Sequence, residues 1–211
     1  MARRPAWTIK NDSIICEYFE FEWNSGFSIS QKQKNIINLH QAIEKKTKES
    51  ALEVSSKGEV EVGKKIGAFS LKLQGIPLEN VFQSSKKYEN GGPFTDLLDV
   101  DVSPKVAKKD ERHQNSGKLI GFEMKNELWP LEPKTLFYDY IYVIALIENY
   151  GHDLDLSQYV WFTDIEFNPN RSINCQARAA TIYKLLQKKN MFEVIENREK
   201  WLNFHEEYVS G

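Results

Sequence analysis

The chain has 211 residues, of which 41% are hydrophobic and 12% aromatic. A chain of this length and composition can bury a substantial core as one domain, so a second domain is not required. The formal net charge of -2 argues against a protein that coats nucleic acid by non-specific electrostatic attraction, although it is compatible with a local basic patch.

The two cysteines, Cys16 and Cys175, lie far apart and belong to no CxxC or Cys/His metal pattern. We therefore expect no disulfide framework, no metal and no other cofactor, in keeping with a reducing cytosol. The first residues carry positive charge without an apolar segment behind them, so we expect no secretory signal. The most apolar run, residues 137–147, contains Asp139 and three tyrosines and is too short and too polar to span a bilayer. These features predict a cytoplasmic protein without membrane contact.

Two elements are predicted before residue 50. Residues 19–23 alternate strictly between aromatic and other side chains, which is the pattern of a half-buried strand. Apolar residues at positions 36, 39 and 43 have helical spacing behind a capping serine, Ser28 or Ser30, and predict a helix from about 30 to 46. We interpret residues 1–49 as an N-terminal extension that packs, with its strand and helix, on the rest of a single domain covering residues 1–211.

The next part of the chain predicts strands at 51–54 and 68–73, and then a helix from Pro77 to about Tyr88. Proline suits a first helical turn, and the sequence Gly91-Gly92-Pro93 suits a helix end. Four side chains of this helix share a face at positions i, i+3, i+4 and i+7: Glu79, Phe82, Gln83 and Lys86. By spacing alone such a polar stripe most often faces water, whereas the opposite face resembles core.

The remaining elements are predicted from caps, periodicity and breaks. They are a short basic helix beginning near Ser103, a strand at 119–124, a central core helix at 135–150, a loop or short strand at 161–170, a helix at about 173–188 capped by Asn170 or Ser172, and a C-terminal amphipathic helix at 192–208. The cations of the basic helix are either solvated or face a partner that carries phosphate, and the sequence leaves both open.

An ordered set of segments resembles the NADAR family. The segments are Ala68–Leu71, Leu78–Lys86, Trp129 with Lys134, and Asp164 ahead of Asn174–Ala177. The amino-acid sequences of these segments are most similar to the branch that accompanies DarT-type DNA ADP-ribosyltransferase toxins. The resemblance covers roughly residues 50 to 190. It implies an α+β fold, a single mostly helical domain with a small sheet. It also implies a hydrolase that cleaves the N-glycosidic bond between ADP-ribose and guanine in DNA, acting as antitoxin to a DarT-type toxin.

The resemblance also implies site residues. Glu79 and Lys86 match the Glu and Lys of the family's Glu-His-x-x-Gln-x-x-Lys helix, and Trp129 and Asp164 match its Trp and Asp. The chain departs from the family in having Asn80 in place of the His. A His proton shuttle at that position is therefore not expected. A second departure is Glu166-Phe167, which replaces a Trp-Gly pair that is common after the Asp.

Cleavage of a bond between ribose and nitrogen passes through an oxocarbenium-like transition state. The site therefore needs negative charge near C1′ and a group that protonates or stabilises the departing base. Glu79 is the candidate for the first role, as stabilising charge, general base or nucleophile, and these alternatives stay open. Asp164 is the candidate for holding ribose hydroxyls or for acting as the acid, provided that apolar surroundings raise its pKa.

Substrate binding is assigned to aromatic, cationic and polar side chains. Trp129 or Phe82 would stack on a base, although aromatic residues at such positions more often belong to the core. Lys57, Lys86 and Arg171 are candidates for the pyrophosphate, Arg171 because it precedes a predicted helix N-terminus, and each is otherwise a surface charge. The turn and the matched segments add Ser56, Phe69, Gln83, Lys134 and Asn174. In the absence of a metal pattern we predict metal-independent hydrolysis.

Two other functions compete with this interpretation. The first is hydrolysis of a small phosphoribosyl-amine metabolite, as in riboflavin-pathway members of the same family. The second is a module that binds ADP-ribose or a toxin partner without turnover. Release of ADP-ribose from DNA modified on guanine would separate the three.

Overall fold

The computed structural model describes residues 1–209. Its largest sheet has four strands, in the order β2 (Ser13–Phe21), β1 (Ala2–Lys10), β9 (Trp161–Thr163) and β3 (Ala51–Glu53). Strands β1 and β2 form an antiparallel hairpin, and β1 also pairs with β9. Strand β3 runs parallel to β9. The N-terminal hairpin thus supplies two of the four strands of this sheet, of which the sequence predicted only the second.

Helix α1 (Ile29–Thr47) covers one face of this sheet and confirms the helix predicted at about 30–46. The side chain of Ser28 accepts a hydrogen bond from the backbone N–H of Gln31, while the Gln31 side chain returns to the backbone of Ser28. Such a reciprocal capping box fixes where a helix begins. The buried apolar residues of α1 pack on Phe19 and Trp161. The helix and the inward-facing aromatic residues of the strands therefore form one apolar cluster.

The opposite face of the sheet carries the main core. It is built from α6 (Leu136–Tyr150) and α7 (Gln176–Lys189), which confirms the predicted central helix. Helix α7 begins later than predicted, with Cys175 rather than Asn170 or Ser172 at its N-cap, because the preceding residues form turns. The predicted C-terminal helix is divided into a 3₁₀ turn (Phe192–Glu196) and α8 (Arg198–Tyr208).

The helix predicted from Pro77 to Tyr88 is correct only in its first half. Helix α3 covers Leu78–Ser84, after which the chain enters β6 (Lys86–Tyr88). The hydroxyls of Ser84 and Ser85 both donate to the carbonyl of Val81, at 3.0 and 2.8 Å. Serines that bond to the preceding turn in this way compete with continuation of a helix. Lys86 therefore lies on a strand and not on the helix.

Strand β6 is one edge of a three-stranded antiparallel sheet. Its neighbour is β7 (Leu119–Met124), as predicted, and β7 pairs with β8 (Glu127–Trp129). The connection from β6 to β7 holds a 3₁₀ turn (Thr95–Leu98), α4 (Pro104–Lys108) and α5 (Arg112–Asn115). The Ser103 side chain caps α4 and Pro104 occupies its first turn, which confirms the predicted basic helix.

The strand predicted at 68–73 is wrong for most of its length. Residues 67–71 form a turn in which the carbonyl of Gly67 accepts from Ser70 and Leu71. Only β4 (Lys72–Leu73) is extended, pairing with β5 (Ile76–Pro77), and a short helix α2 (Glu61–Lys65) precedes the turn. The N–H of Ala68 is bound by a glutamine side chain instead of by a neighbouring strand. Alternation in this segment therefore reflects tertiary packing rather than a sheet.

The structure has an α+β fold in which helices outweigh small sheets, as predicted. Within residues 1–209, no helix is long and apolar enough to cross a membrane. Both Cys16 and Cys175 are free thiols.

Candidate active site

Helix α3 presents Glu79 and Gln83 one turn apart on the same face. The Nε2 atom of Gln83 donates to Oε1 of Glu79 at 2.7 Å, and the Glu79 side chain is 20% exposed. Oε1 of Gln83 is buried without a hydrogen-bond partner among residues 1–209. The glutamine thus orients the carboxylate and keeps a free acceptor beside it. The predicted stripe is confirmed for the positions that lie on the helix.

Lys86 joins this group from strand β6. Its Nζ lies 5.5 Å from the centroid of the Phe82 ring. Burial lowers the pKa of Lys86, the charge of Glu79 opposes this shift, and the charge of Lys108 adds to it. Lys108 itself reaches to 3.9 Å from Oε1 of Glu79. A carboxylate is therefore flanked by two ammonium groups, one exposed and one partly buried.

Tyr138 of α6 links this group to Asp164. Its ring meets Phe82 edge to face, with centroids 5.5 Å apart. Burial raises the pKa of Tyr138 well above its ordinary value, and the charges of Glu79 and Asp164 both contribute. The charges of Glu79 and Asp164 therefore both act on the Tyr138 phenol. Sequence reasoning missed Tyr138, which lies on the most apolar helix and so was assigned to the core.

Asp164 follows strand β9 and is 6% exposed. Its Oδ1 accepts from the backbone N–H groups of Glu166 and Phe167, at 3.0 and 3.2 Å. Burial raises the pKa of Asp164, while hydrogen bonds from Gln176 and from these two N–H groups oppose the shift. The direction of the shift is the one that apolar surroundings were predicted to cause.

Glu53 on β3 is a second buried carboxyl group beside Asp164, and sequence reasoning missed it. It is 3% exposed and accepts from the hydroxyls of Ser55 and Thr163, both at 2.7 Å, and from the N–H of Ile165 at 2.9 Å. Burial raises its pKa, and the charge of Asp164 raises it further. The available signal was a lone glutamate between Leu52 and Val54 in a predicted strand.

Gln176, the first residue of α7, connects Asp164 to the turn at 67–71. Its side chain hydrogen-bonds Asp164, and its Oε1 accepts from the N–H of Ala68 at 2.7 Å. Phe69, the next residue of the turn, is 72% exposed. An aromatic ring is therefore presented to solvent by a turn that is fixed to the Asp164 carboxylate.

The structure places several other predicted residues away from this group. Trp129 is 1% exposed and packs on Tyr140 and Phe137, with ring centroids 4.3 and 5.6 Å away. It has no face open to a base, so the core alternative holds for it. Arg171 is exposed but lies five residues before α7, so its predicted position at a helix N-terminus is wrong because α7 starts at Gln176.

The remaining predicted binding residues are dispersed. Ser56 and Lys134 are exposed, whereas Asn174 is partly buried and its carbonyl accepts from Ser172. Lys57 lines a small cavity behind Glu53. Within residues 1–209, no group of three or more His, Cys, Asp or Glu side chains is arranged to hold a metal ion.

Asn80, which stands where the family motif has a His, has a structural role. Its Nδ2 donates to the carbonyls of Leu97 and Val102, at 2.9 and 2.7 Å, and its side chain is buried. It thereby fixes the segment that leads into α4 and brings Lys108 over Glu79.

The comparison with known families agrees with the geometry. The family model described as DarT1-associated NADAR antitoxin matches residues 2–210. This match includes the N-terminal hairpin and α1, which the resemblance over roughly residues 50 to 190 left out. No curated protein matches the chain.

Proposed function

The chain belongs to the family of DarT1-associated NADAR antitoxins, and from this premise we propose that it hydrolyses the N-glycosidic bond between ADP-ribose and guanine in DNA. The observation that supports this most directly is the group around Glu79, which is oriented by Gln83 and approached by Lys108, and whose charge acts on Lys86 and, together with that of Asp164, on Tyr138. Two carboxylates whose charges act on the same phenol, and an ammonium group on which the charge of Glu79 acts, suit a reaction that develops positive charge on ribose and negative charge on a leaving base. The product is ADP-ribose, and the physiological partner is a DarT-type toxin whose modification is reversed.

Glu79 is assigned to the ribose. Its negative charge stabilises the oxocarbenium-like carbon at C1′, and Gln83 holds the carboxylate in one orientation. A water molecule then adds to C1′ and loses a proton to Glu79. Geometry alone makes this as compatible with direct attack by Glu79 as with general-base catalysis.

Lys86 is assigned to the departing base. When the bond between C1′ and nitrogen breaks, its electron pair passes to the guanine and requires a proton or a nearby cation. Because burial lowers the pKa of Lys86, its ammonium gives up a proton more readily than an exposed lysine. The proton taken by Glu79 and the proton given by Lys86 balance the hydrolysis.

Asp164 is assigned to the ribose hydroxyls. As an ionised group that already accepts two backbone N–H bonds, it has fixed lone pairs for further donors. The exposed Phe69 ring, held to Asp164 through Gln176, is a stacking surface for the adenine or the guanine. The unpartnered Oε1 of Gln83 is a further acceptor beside the bond to be broken.

A single-stranded oligonucleotide with ADP-ribose on guanine tests this function. Wild-type protein is expected to release free ADP-ribose, and Glu79→Gln to lower the rate at least 1,000-fold while still binding the oligonucleotide. Glu44→Gln, at an exposed position on α1, is the matched control and should act as wild type. Binding without release by wild type would favour the non-catalytic module. Release only from a free phosphoribosyl-amine would refute the DNA assignment.

A further inference from the structure

Glu53 and Asp164 form a pair of carboxyl groups held to one piece of backbone. In the parallel register of β3 and β9, Glu53 lies opposite Thr163. Its Oε2 accepts from the Thr163 hydroxyl and its Oε1 from the N–H of Ile165. Glu53 therefore accepts hydrogen bonds from Thr163 and Ile165, the residues on either side of Asp164. A movement of either carboxyl group is transmitted to the other through this backbone segment.

Neither carboxyl group of this pair has an ion-pair partner within residues 1–209. Two cations on neighbouring segments engage other groups: Lys32 pairs with Glu166, and Lys57 donates to Ser56. Two buried carboxylates whose charges act on each other without a cation cannot both be ionised at low cost. At neutral pH the pair therefore shares one proton, and its titration belongs to both groups together.

The hydrogen bonds decide which group keeps that proton. Asp164 accepts from two backbone N–H groups, which cannot reverse their direction. Glu53 accepts at Oε2 from a hydroxyl, that of Thr163, and a hydroxyl can rotate to accept instead. The Thr163 hydroxyl then has another acceptor at hand, the Nε2 atom of His40 at 2.8 Å. Protonated Glu53 thus loses no hydrogen bond, whereas a proton on Oδ1 of Asp164 would displace at least one of its two N–H donors.

Glu53 also has its own route to solvent. It lines a cavity of about 110 Å³ together with His40, Lys57 and Glu59, on the side of the sheet covered by α1. Asp164 faces the other way, where its charge acts on Tyr138, Tyr142 and Cys175. A proton can therefore reach or leave Glu53 from the α1 side of the sheet while substrate is bound beside Asp164.

Resting on the function proposed above, we propose that Glu53 is a positioning residue for Asp164, which stores the proton that the pair shares and so keeps Asp164 ionised toward the ribose hydroxyls. The groups that surround the pair are consistent with this role. His40 is neutral near neutral pH because burial lowers its pKa to about 4. The other facing groups are Lys57, Glu59, Glu166, Tyr138, Tyr142 and Cys175.

The test compares Glu53→Gln with wild type across neutral and alkaline pH, using the ADP-ribosylated oligonucleotide. The glutamine amide copies protonated Glu53, since it donates toward Thr163 and accepts from Ser55 and Ile165. Loss of the Lys86 proton lowers kcat/KM at alkaline pH in all variants. In wild type, ionisation of Glu53 should add a second fall, because its charge repels and displaces Asp164. Glu53→Gln should stay within about twofold of wild type at neutral pH and lack this second fall. Glu59→Gln, which changes a carboxylate of the same cavity, should keep both falls.

Two kinetic results would overturn the proposal: an alkaline pH profile of Glu53→Gln that superimposes on that of wild type, or a folded Glu53→Gln that binds the oligonucleotide and is inactive at every pH. The titration of the two carboxyl groups can also be measured directly, without turnover. In wild-type protein with ¹³C-labelled carboxyl groups, NMR should show Glu53 retaining its proton to higher pH than Asp164, and the reverse order would refute the assignment. If wild type releases no ADP-ribose, the proposed function fails while this titration still tests the pair.

Discussion

Gln83 donates a hydrogen bond of 2.7 Å from Nε2 to Oε1 of Glu79, one turn earlier on α3. This contact joins the two positions whose spacing first suggested a functional face. The buried Gln83 amide donates to a carboxylate while its own oxygen, Oε1, has no partner within residues 1–209. A contribution to stability alone does not explain this arrangement. It is well explained if the carboxylate must keep one orientation and the acceptor meets a substrate.

Replacing Gln83 by methionine keeps the length of the side chain and removes the donor. We expect kcat for ADP-ribose release to fall about 10-fold or more, because a hydrogen bond to a charged group contributes roughly 1.5 kcal/mol or more. Steady-state kinetics on the modified oligonucleotide measure this. Gln114→Met, at an exposed position of α5, is the control. An unchanged kcat would mean that Gln83 does not orient the reacting carboxylate.

Lys86→Met should raise stability while it abolishes turnover. Because burial lowers the pKa of Lys86 in the folded chain, the unfolded chain binds more protons between that lowered value and the ordinary value of 10.5. Folding is therefore penalised while Lys86 is charged, and stability rises with pH through this window. Removing the charge should raise Tm by roughly 2 °C near neutral pH, as seen by thermal unfolding. A lower Tm would show that the contact with Glu79 outweighs burial.

The carboxyl pair should give stability the opposite pH dependence. The folded pKa of Glu53 lies above its ordinary value of 4.5, and that of Asp164 above 3.8. The folded chain then binds more protons than the unfolded one, so stability is highest below these ordinary values and is lost as pH rises through the raised ones. Urea unfolding of wild type and Glu53→Gln should diverge with rising pH, in favour of the variant. Parallel curves would contradict a shared proton.

The sequence was sufficient to predict the elements in which local signals and tertiary structure agree. The N-termini of α1 and α4 depend on no distant residue, and both helices begin as predicted. Helix α1 is capped by Ser28 with Gln31, and α4 by Ser103 with Pro104 in the first turn. The residues on α3 likewise share their predicted face. Their partner Lys86 joins them by a different route, because two serine hydroxyls end the helix and β6 pairs with a distant strand.

The parts that sequence reasoning missed depend on long-range pairing. Glu53 meets Asp164 only because β3 lies parallel to β9, more than 100 residues later. Tyr138 looked like core because it lies among apolar residues, although its ring packs against Phe82 on the helix that carries Glu79. Trp129 shows the opposite error, since a residue implied by the family resemblance packs fully inside. Spacing along one element reveals a face, but it does not reveal what that face meets.

Helix α4 is expected to carry the DNA strand past Glu79. Lys105 and Lys108 share one face of it at helical spacing, Lys109 follows as its C-cap residue, and Lys108 reaches Glu79. Lys105 and Lys109 are exposed and have no ion-pair partner within residues 1–209. Phosphates on either side of the modified guanine would fit beside them.

The double change Lys105→Glu with Lys109→Glu should therefore weaken hydrolysis of a long modified oligonucleotide and leave a modified mononucleotide unaffected. Two lost phosphate contacts should reduce the slope of log affinity against log salt by about 1.4, since each contact to a single strand contributes about 0.7. Fluorescence anisotropy at several salt concentrations measures this slope. Lys45→Glu with Lys48→Glu, at the end of α1, makes the same charge change as a control. Equal losses on both substrates would place the effect in the active site instead of along the strand.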